Sequence, residues 1–558
     1  MAMKKQNIVV FVVLALMVFL GVYGVLQLTS ESGSTERAEK RLEKMVKKID
    51  ATERELVKGT VDLSGSTTLA EELPEIDKYP MSLQGNGQIN IEVFAAPEKA
   101  GEGTDGWMLE AAEKFNNEGY TISGQTVSVS IRSMSSGTGA DYIASGKYVP
   151  QVFSPSNELW GELITAQGTT MELVEKKVIG NVAGILVSQK VKKEIESKYN
   201  ELTFETVVEA TTSGEVAMGY TNPFYSSTGL NFLLETLYLN DQNNILSDTA
   251  IEGFASFQKN VPFVSYTTQQ MRDAADSGAL DGMVTEYQTY INDKNLSNYE
   301  FIPFGARHDG PIYAVGDLTA EQREAVSLFV DYCMSDDMQK LAKKYGFNQY
   351  EDYTSQIPDF DGATIMEAQN LWKENKDSGS SITAVFVADT SGSMDGEPIN
   401  QLKESLINAG QYIESDNSIG LVSFNTDVFI DIPIAPFDLN QRSYFNGAVE
   451  NLVCLGGTAT YNGITVGTNM LVEAKKANPN TKLVLFLLSD GEKNQGYDLS
   501  DVDDILKEYQ IPVYSIAYGD GANMDELNAV SSVNEATVID ADSDDVIYKL
   551  KNLFNAQM

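Results

Sequence analysis

"ITAVFVADTSGSMDG", residues 382–396, sets the architecture of the C-terminal third of this chain. Its first eight residues are almost wholly apolar and end on Asp389. A strand apolar on both faces belongs inside a sheet covered by helices on both sides. Three similar runs follow: "SIGLVSFN" (418–425), "TKLVLFLLSD" (481–490) and "IPVYSIAYG" (511–519). Helix-like segments lie between them, among them "PINQLKESLINAGQYI" (398–413) and "TYNGITVGTNMLVEAKK" (460–476). This alternation predicts a doubly wound sheet, whose ligands bind just beyond the C-terminal ends of the strands.

Those ends are rich in oxygen donors. The first strand runs into Asp389-Thr390-Ser391-Gly392-Ser393, the third ends in Asp490-Gly491, and "GGTATYNG" (456–463) supplies Thr458. Carboxylates and hydroxyls from three loops suit a hard divalent cation, and the glycines let the backbone turn tightly around one. The set D-x-S-x-S, Gly-Gly-Thr and Asp-Gly resembles the metal-ion-dependent adhesion site (MIDAS) of the von Willebrand factor A (VWA) domain, over roughly residues 380–558. The resemblance implies hydroxyls of Ser391, Ser393 and Thr458 on or near the ion. Asp389 and Asp490 would act directly or through water. Thr460 lies two residues further on, but the Gly-Gly-Thr match favours Thr458. The resemblance also implies one position left for an Asp or Glu of a protein partner. Mg²⁺ is the expected ion, with Mn²⁺ second, because both accept octahedral oxygen sites.

Between residues 89 and 374 strand-like and helix-like runs again alternate, as in "INIEVFAA" (89–96), "DGWMLEAAEKFNNEG" (105–119) and "QTVSVSIRSM" (125–134). Two hydroxyl clusters precede helical patterns: Ser135-Ser136-Gly137-Thr138-Gly139 and Ser226-Ser227-Thr228-Gly229. Each reads either as a helix N-cap or as an anion site at a helix start. The order of elements resembles the type II periplasmic solute-binding proteins, in particular the branch that binds phosphate, molybdate and similar oxyanions. "TNPFYSSTGLNFLLETLY" (221–238) matches the entry into the second lobe. "TEYQTYINDK" (285–294) takes the place of the return crossing. "LTAEQREAVSLFVDYCMSDDMQKLAKKYGF" (318–347) matches the late helices, through Ser335, Gln339, Gly346 and Phe347. The resemblance implies two lobes that close on a ligand. Ser135, Ser136, Thr138, Ser226, Ser227 and Thr228 would stand near the cleft, with Ser154 and Tyr287 as further candidates. Arg132 is the one arginine in the segments that carry these candidates, so a dianion would be held mostly by neutral donors. A cleft serving as a spacer or protein-binding surface remains the other reading.

The N-terminus carries Lys4 and Lys5 before an apolar run from Ile8 to Leu28. That length suits a membrane-spanning helix, and the positive flank places the remainder outside the cytoplasm. The expectation is an uncleaved signal anchor over residues 1–30, since signal-peptide apolar regions are usually shorter. A helical stalk and linker over 31–88 follows. Ala38, Leu42, Met45, Ile49, Thr52 and Leu56 recur at alternating four- and three-residue steps. Such a face suits a solvated stalk, a helix packed on the next domain, or a short coiled coil.

Composition narrows function. The 558 residues carry a formal charge of -40, which repels phosphate backbones and argues against nucleic acid. Cys333 and Cys454 provide no disulfide framework. His308, in "GARHDGPIY" (305–313), is the only histidine and reads as a loop residue. A Ser-His-Asp triad would have to use it, and H-E-x-x-H is absent, so no enzyme is expected. The sequence therefore predicts an α/β chain at a bacterial surface: a transmembrane anchor, a stalk, a two-lobed type II solute-binding-like domain (89–374) and a doubly wound, Rossmann-like VWA domain (380–558). Its expected role is capture of an acidic group of a protein partner through Mg²⁺. The alternative is an oxyanion or small-solute receptor with the VWA domain as docking arm.

Overall fold

Alternating apolar runs become strands in the order the pattern sets. The computed structural model describes the chain except residues 1–34, 62–67, 262, 266–270, 272–279, 377–380, 520, 535, 537, 541–547, 551–552 and 554–558. The expected anchor at Ile8–Leu28 therefore lies outside the described residues. Among those described, no helix is long and apolar enough to cross a membrane. Contacts divide the chain into two units. One holds the described residues of 1–61, 382–403 and 415–540, and the other those of 62–381, 404–414 and 541–558.

The described residues open with helix α1 (35–46) and the short strand β1 (Thr52–Glu53). Both belong to the unit otherwise built from the C-terminal third. Leu42, Met45 and Ile49 are buried in its core, with Ala38 packed against it. The heptad face thus packs not on the next domain but on the C-terminal one, far away in sequence. The heptad ends there because the helix does: Thr52 enters β1, and Leu56 is 42% exposed.

The middle unit has two sheets. The first contains β2 (Ile89–Ala95), β3 (Thr121–Ile122), β4 (Gln125–Ser133), β5 (Val152–Ser154) and β6 (Met171–Glu175). The second contains β7 (Val182–Ser188), β8 (Met218–Thr221), β9 (Phe263–Ser265), β10 (Gly282–Glu286) and β11 (Tyr299–Arg307), in the order β11-β7-β10-β8-β9. Then β12 (Ile312–Val315) returns to the first sheet, whose order is β3-β4-β2-β5-β12-β6. Each sheet with its helices forms a lobe.

Two chain segments cross between the lobes. Val178 and His308 tie them together: Val178 N–H donates to Asp309 O (3.1 Å), and His308 N–H donates to Asn181 O (3.0 Å). The return crossing thus lies at residues 308–311. The segment 285–294, expected there, ends β10 and forms the helix Tyr287–Asn292 inside the second lobe. His308 lies in this connecting loop, as expected. It is 2% exposed in the crossing, and burial lowers its imidazole to about 4, so it is neutral near pH 7.

The C-terminal unit is a seven-stranded sheet in the order β1-β15-β14-β13-β16-β17-β18. Its strands are β13 (Ile382–Asp389), β14 (Ser418–Phe424), β15 (Val428–Pro436), β16 (Lys482–Ser489), β17 (Val513–Ala517) and β18 (Val538–Asp540). β13 is central, parallel to both β14 and β16. β15 turns back antiparallel through a hairpin in which Asn425 N–H donates to Asp427 O (2.9 Å). β1 then adds a parallel edge strand to β15. The four strands read from sequence lie in this sheet; β1, β15 and β18 extend it.

Candidate functional site

The sheet register sets the first site. Asp389 ends β13 opposite Phe424, and Ala388 pairs with Leu488, so Asp389 stands beside Ser489 at the C-terminal edge. Asp389 is fully buried. Its Oδ1 accepts from Ser391 N–H at 2.8 Å and its Oδ2 accepts from Ser489 Oγ–H at 2.5 Å. Burial pushes its carboxyl up to about 6, partly offset by the Ser391 and Ser489 bonds and reinforced by the charge of Asp490. Ser391 Oγ lies 3.1 Å from Ser393 Oγ. Two loops close the site. Leu455 N–H donates to Thr390 O (2.8 Å), and Gly392 N–H donates to Gly456 O (3.1 Å). Thr458 N–H donates to Asn494 Oδ1 (3.0 Å), while Asn494 Nδ2 donates to Thr458 Oγ1 (3.4 Å). Asp490 O accepts from Asn523 N–H (2.7 Å).

Four of the five sequence-selected residues, Asp389, Ser391, Thr458 and Asp490, are buried; Ser393 is exposed. Thr460 starts the helix Thr460–Ala477 and points a buried Oγ1 with no hydrogen-bond partner among the described residues. These donors fit a hard cation. A desolvated carboxylate whose neighbours are hydroxyls and a second carboxylate gains stability when a cation enters. Among the described residues no three His, Cys, Asp or Glu side chains form a metal cluster. The donors here are three hydroxyls and two carboxylates, a set with too few acids to make one. Cys454 sits close by, half-buried, with its thiol pushed up to about 11 by burial and then by Asp395 and Asp389. Beside it Val453 and Leu455 are 68% and 72% exposed.

The second site is the cleft between the two lobes. Ser135 caps helix α2 (Ser136–Ser145), accepting from Thr138 N–H at 3.2 Å. Ser226 caps α3 (Ser227–Asn240), accepting from Gly229 N–H at 3.3 Å. The two helix starts meet across the cleft. Gly137 N–H donates to Tyr225 O (3.1 Å), and a Cβ on Gly137 would lie 2.1 Å from Phe224 O. Only glycine lets the backbones approach so closely. Ser227 Oγ–H donates to Ser136 Oγ (3.0 Å) and accepts from Trp160 Nε1–H (2.8 Å). Gln288 Nε2–H bridges the lobes again, to Asp105 Oδ1 (3.0 Å).

Ser135, Ser136, Ser226 and Ser227 line a cavity of about 640 Å³. Thr138 is buried against Ser135 (2.8 Å between hydroxyls), and Thr228 donates to Glu286; neither lines the cavity. Ser154 is buried on β5 with its Oγ unpartnered among the described residues. Tyr287 packs on Tyr350 and Phe301, with ring centroids 4.7 and 5.1 Å away. Arg132 is absent from the cavity lining: it donates to Glu92 Oε1 (2.8 Å) and to the carbonyl of Ile76 (3.1 Å). Sequence reasoning missed the acids of the lining, Glu98, Glu102, Asp105 and Glu286. The signal was available in "APEKAGEGTD" (96–105), directly after the first strand of the lobe.

Comparison with known families matches these two regions. A model of the von Willebrand factor type A domain matches residues 384–556, and a model of the bacterial extracellular solute-binding protein matches residues 99–348. The chain joins a VWA domain to a bacterial solute-binding domain. An uncharacterized protein of Synechocystis sp. is 31% identical over 153 residues, 26% of this chain and 34% of that protein. Inter-alpha-trypsin inhibitor heavy chain H1 of Sus scrofa is 29% identical over 199 residues, 33% of this chain and 21% of that protein. The chain thus spans about a third and about a fifth of these two relatives. Among solved structures, the sulfate-binding protein SubI of Mycobacterium tuberculosis H37Rv aligns over 51% of this chain and 91% of that one, at 14% identity and TM-score 0.34.

Proposed function

We propose that this chain is an extracytoplasmic binding protein, held to the cell membrane by residues 8–28, whose VWA domain docks an acidic group of a protein partner through Mg²⁺, or Mn²⁺. Asp389, Ser391, Ser393, Thr458 and Asp490 would hold the ion. The observation that carries this reading is Asp389: a fully buried carboxylate at the C-terminal edge of the central strand, ringed by hydroxyls and a second carboxylate. When bound, the ion supplies a Lewis-acidic docking point for a carboxylate, on a chain whose own charge of -40 would otherwise repel one. The residues around it do the rest. Ser489 and the Ser391 amide fix the Asp389 carboxylate. Asn494 fixes the Thr458 loop. Val453 and Leu455 offer exposed apolar area for a partner to bury around the acidic contact.

Immobilised peptides with a central Glu or Asp in an apolar context test this reading. Binding in Mg²⁺ that EDTA reverses, that Asp389→Ala abolishes and that Leu455→Asp weakens without loss of metal is the expected pattern. Binding indifferent to EDTA would overturn it.

The cavity supports a second reading, in which the solute-binding domain is a small-solute receptor and the VWA domain its docking arm. Its volume falls within the ~300–1,000 Å³ typical of small-molecule sites.

A further inference from the structure

We infer that the cleft of the solute-binding domain accepts an organic cation, an amine-bearing solute, and excludes oxyanions. The inference rests on the reading of that domain as a solute receptor. An oxyanion needs donors, and several of those at this cleft are engaged within the protein. Three first-turn amides of α2 and α3 donate inward: Gly137 to Tyr225 O, Thr138 to Ser135 Oγ, and Gly229 to Ser226 Oγ. Ser227 gives its hydroxyl proton to Ser136, which also accepts from Ser156 N–H (3.3 Å).

The charged groups of the lining are all acidic. Glu98, Glu102 and Asp105 come from one lobe and Glu286 from the other, and no lysine, arginine or histidine is among the described lining residues. Cations nearby offset only one of them, Glu98, which pairs with Lys99. Lys99 is fully buried and donates to Glu98 Oε1 (3.2 Å) and Pro155 O (2.9 Å). His308, 3.9 Å from Glu286 through Nδ1, is neutral near pH 7. The two helix starts contribute about half a positive charge each, short of four carboxylates. A desolvated anion in this cavity would meet uncompensated like charge, whereas a cation would exchange water for carboxylate and hydroxyl acceptors.

Shape adds the second constraint. The acids are spread over both lobes, and among the described residues no three converge as a metal cluster would. A cavity of about 640 Å³ with Met81, Leu109 and Tyr225 in its wall fits an amine carried on an organic body better than a bare ion.

The test is calorimetric titration of the full-length chain, in detergent and at about 150 mM salt so that surface attraction is screened. Spermidine, choline and arginine form one arm; sulfate, phosphate and molybdate form the other. The expected result is saturable one-site binding of at least one cation and of none of the oxyanions. That affinity should fall at least about tenfold in Glu98→Gln/Glu286→Gln, and measurably in Glu102→Gln, an exposed position that the fold does not need. Oxyanion binding without cation binding would overturn the inference and leave the receptor reading standing. No binding in either arm would overturn both. Cation binding unchanged in both variants would place it elsewhere and overturn the assignment of the cleft.

Discussion

Asp389 and Glu235 carry the sharpest expectations at the scale of single residues. With metal removed, Asp389 is a buried carboxylate raised to about 6. In EDTA near pH 8, Asp389→Asn should therefore melt at or above the wild-type temperature, while losing the rise that Mg²⁺ gives the wild type. A variant that melts lower in EDTA would contradict the account. Glu235 is buried in α3, and burial, opposed by the Gly305 amide, raises its carboxyl to about 7. Unfolded, it would titrate near about 4.3. Between those values the folded state binds the extra proton, so this group's contribution to stability falls as pH rises from about 4.3 to 7. The stability of Glu235→Gln relative to wild type should increase over that window and be flat above it, as read by urea unfolding. At this scale the strand-end position of the candidate residues Asp389 and Asp490 was legible because each ends an apolar run in the sequence. The cleft acids were not. Glu98 and Glu286 are 188 positions apart and come together only when two lobes close.

At the scale of elements, α1 and β1 are the test. The heptad spacing showed an apolar face but not what it covers. Periodicity reports a buried stripe, and the partner surface here lies more than 300 residues downstream. Arg54 lies 3.1 Å from buried Asp431, and its guanidinium sits 4.1 Å from the Phe429 ring centroid. Gly59 N–H donates to Ser443 O (2.7 Å), and Asn446 Nδ2 donates to Thr60 O (2.7 Å). Residues 35–61 thus complete the C-terminal sheet, with the solute-binding domain inserted between them and β13. Leu42→Ala should destabilise the VWA unit by about 2–5 kcal/mol, the usual cost of truncating a buried leucine. A chain beginning at residue 88 should lose more. If that truncation melts with the full-length VWA transition, the N-terminal segment is a tether and not part of the fold. The β13, β14, β16 and β17 runs were legible because strands buried on both faces need no partner to be recognised. The two-residue β1 has no such signature.

At the scale of the whole molecule, two binding modules share one polypeptide with a charge of -40. On the proposed reading, that field would favour cations in both: a divalent ion at the end of β13 and an organic cation between the lobes. It would also give the proposed metal its purpose, since an intervening cation would let an acidic surface receive an acidic partner. The α/β alternation and the strand-end placement of Asp389 and Asp490 follow from local pattern, whereas the return crossing at 308–311 does not. The discontinuous VWA unit and the acidic cleft follow from contacts that no local pattern encodes. The most direct test is calorimetric titration of Mg²⁺ into the metal-stripped full-length chain, beside Asp389→Ala. The account predicts one site per wild-type chain, filled also by Mn²⁺, and no site in the variant with its fold intact by circular dichroism. Equal Mg²⁺ binding by both chains, or none by the wild type, would contradict it.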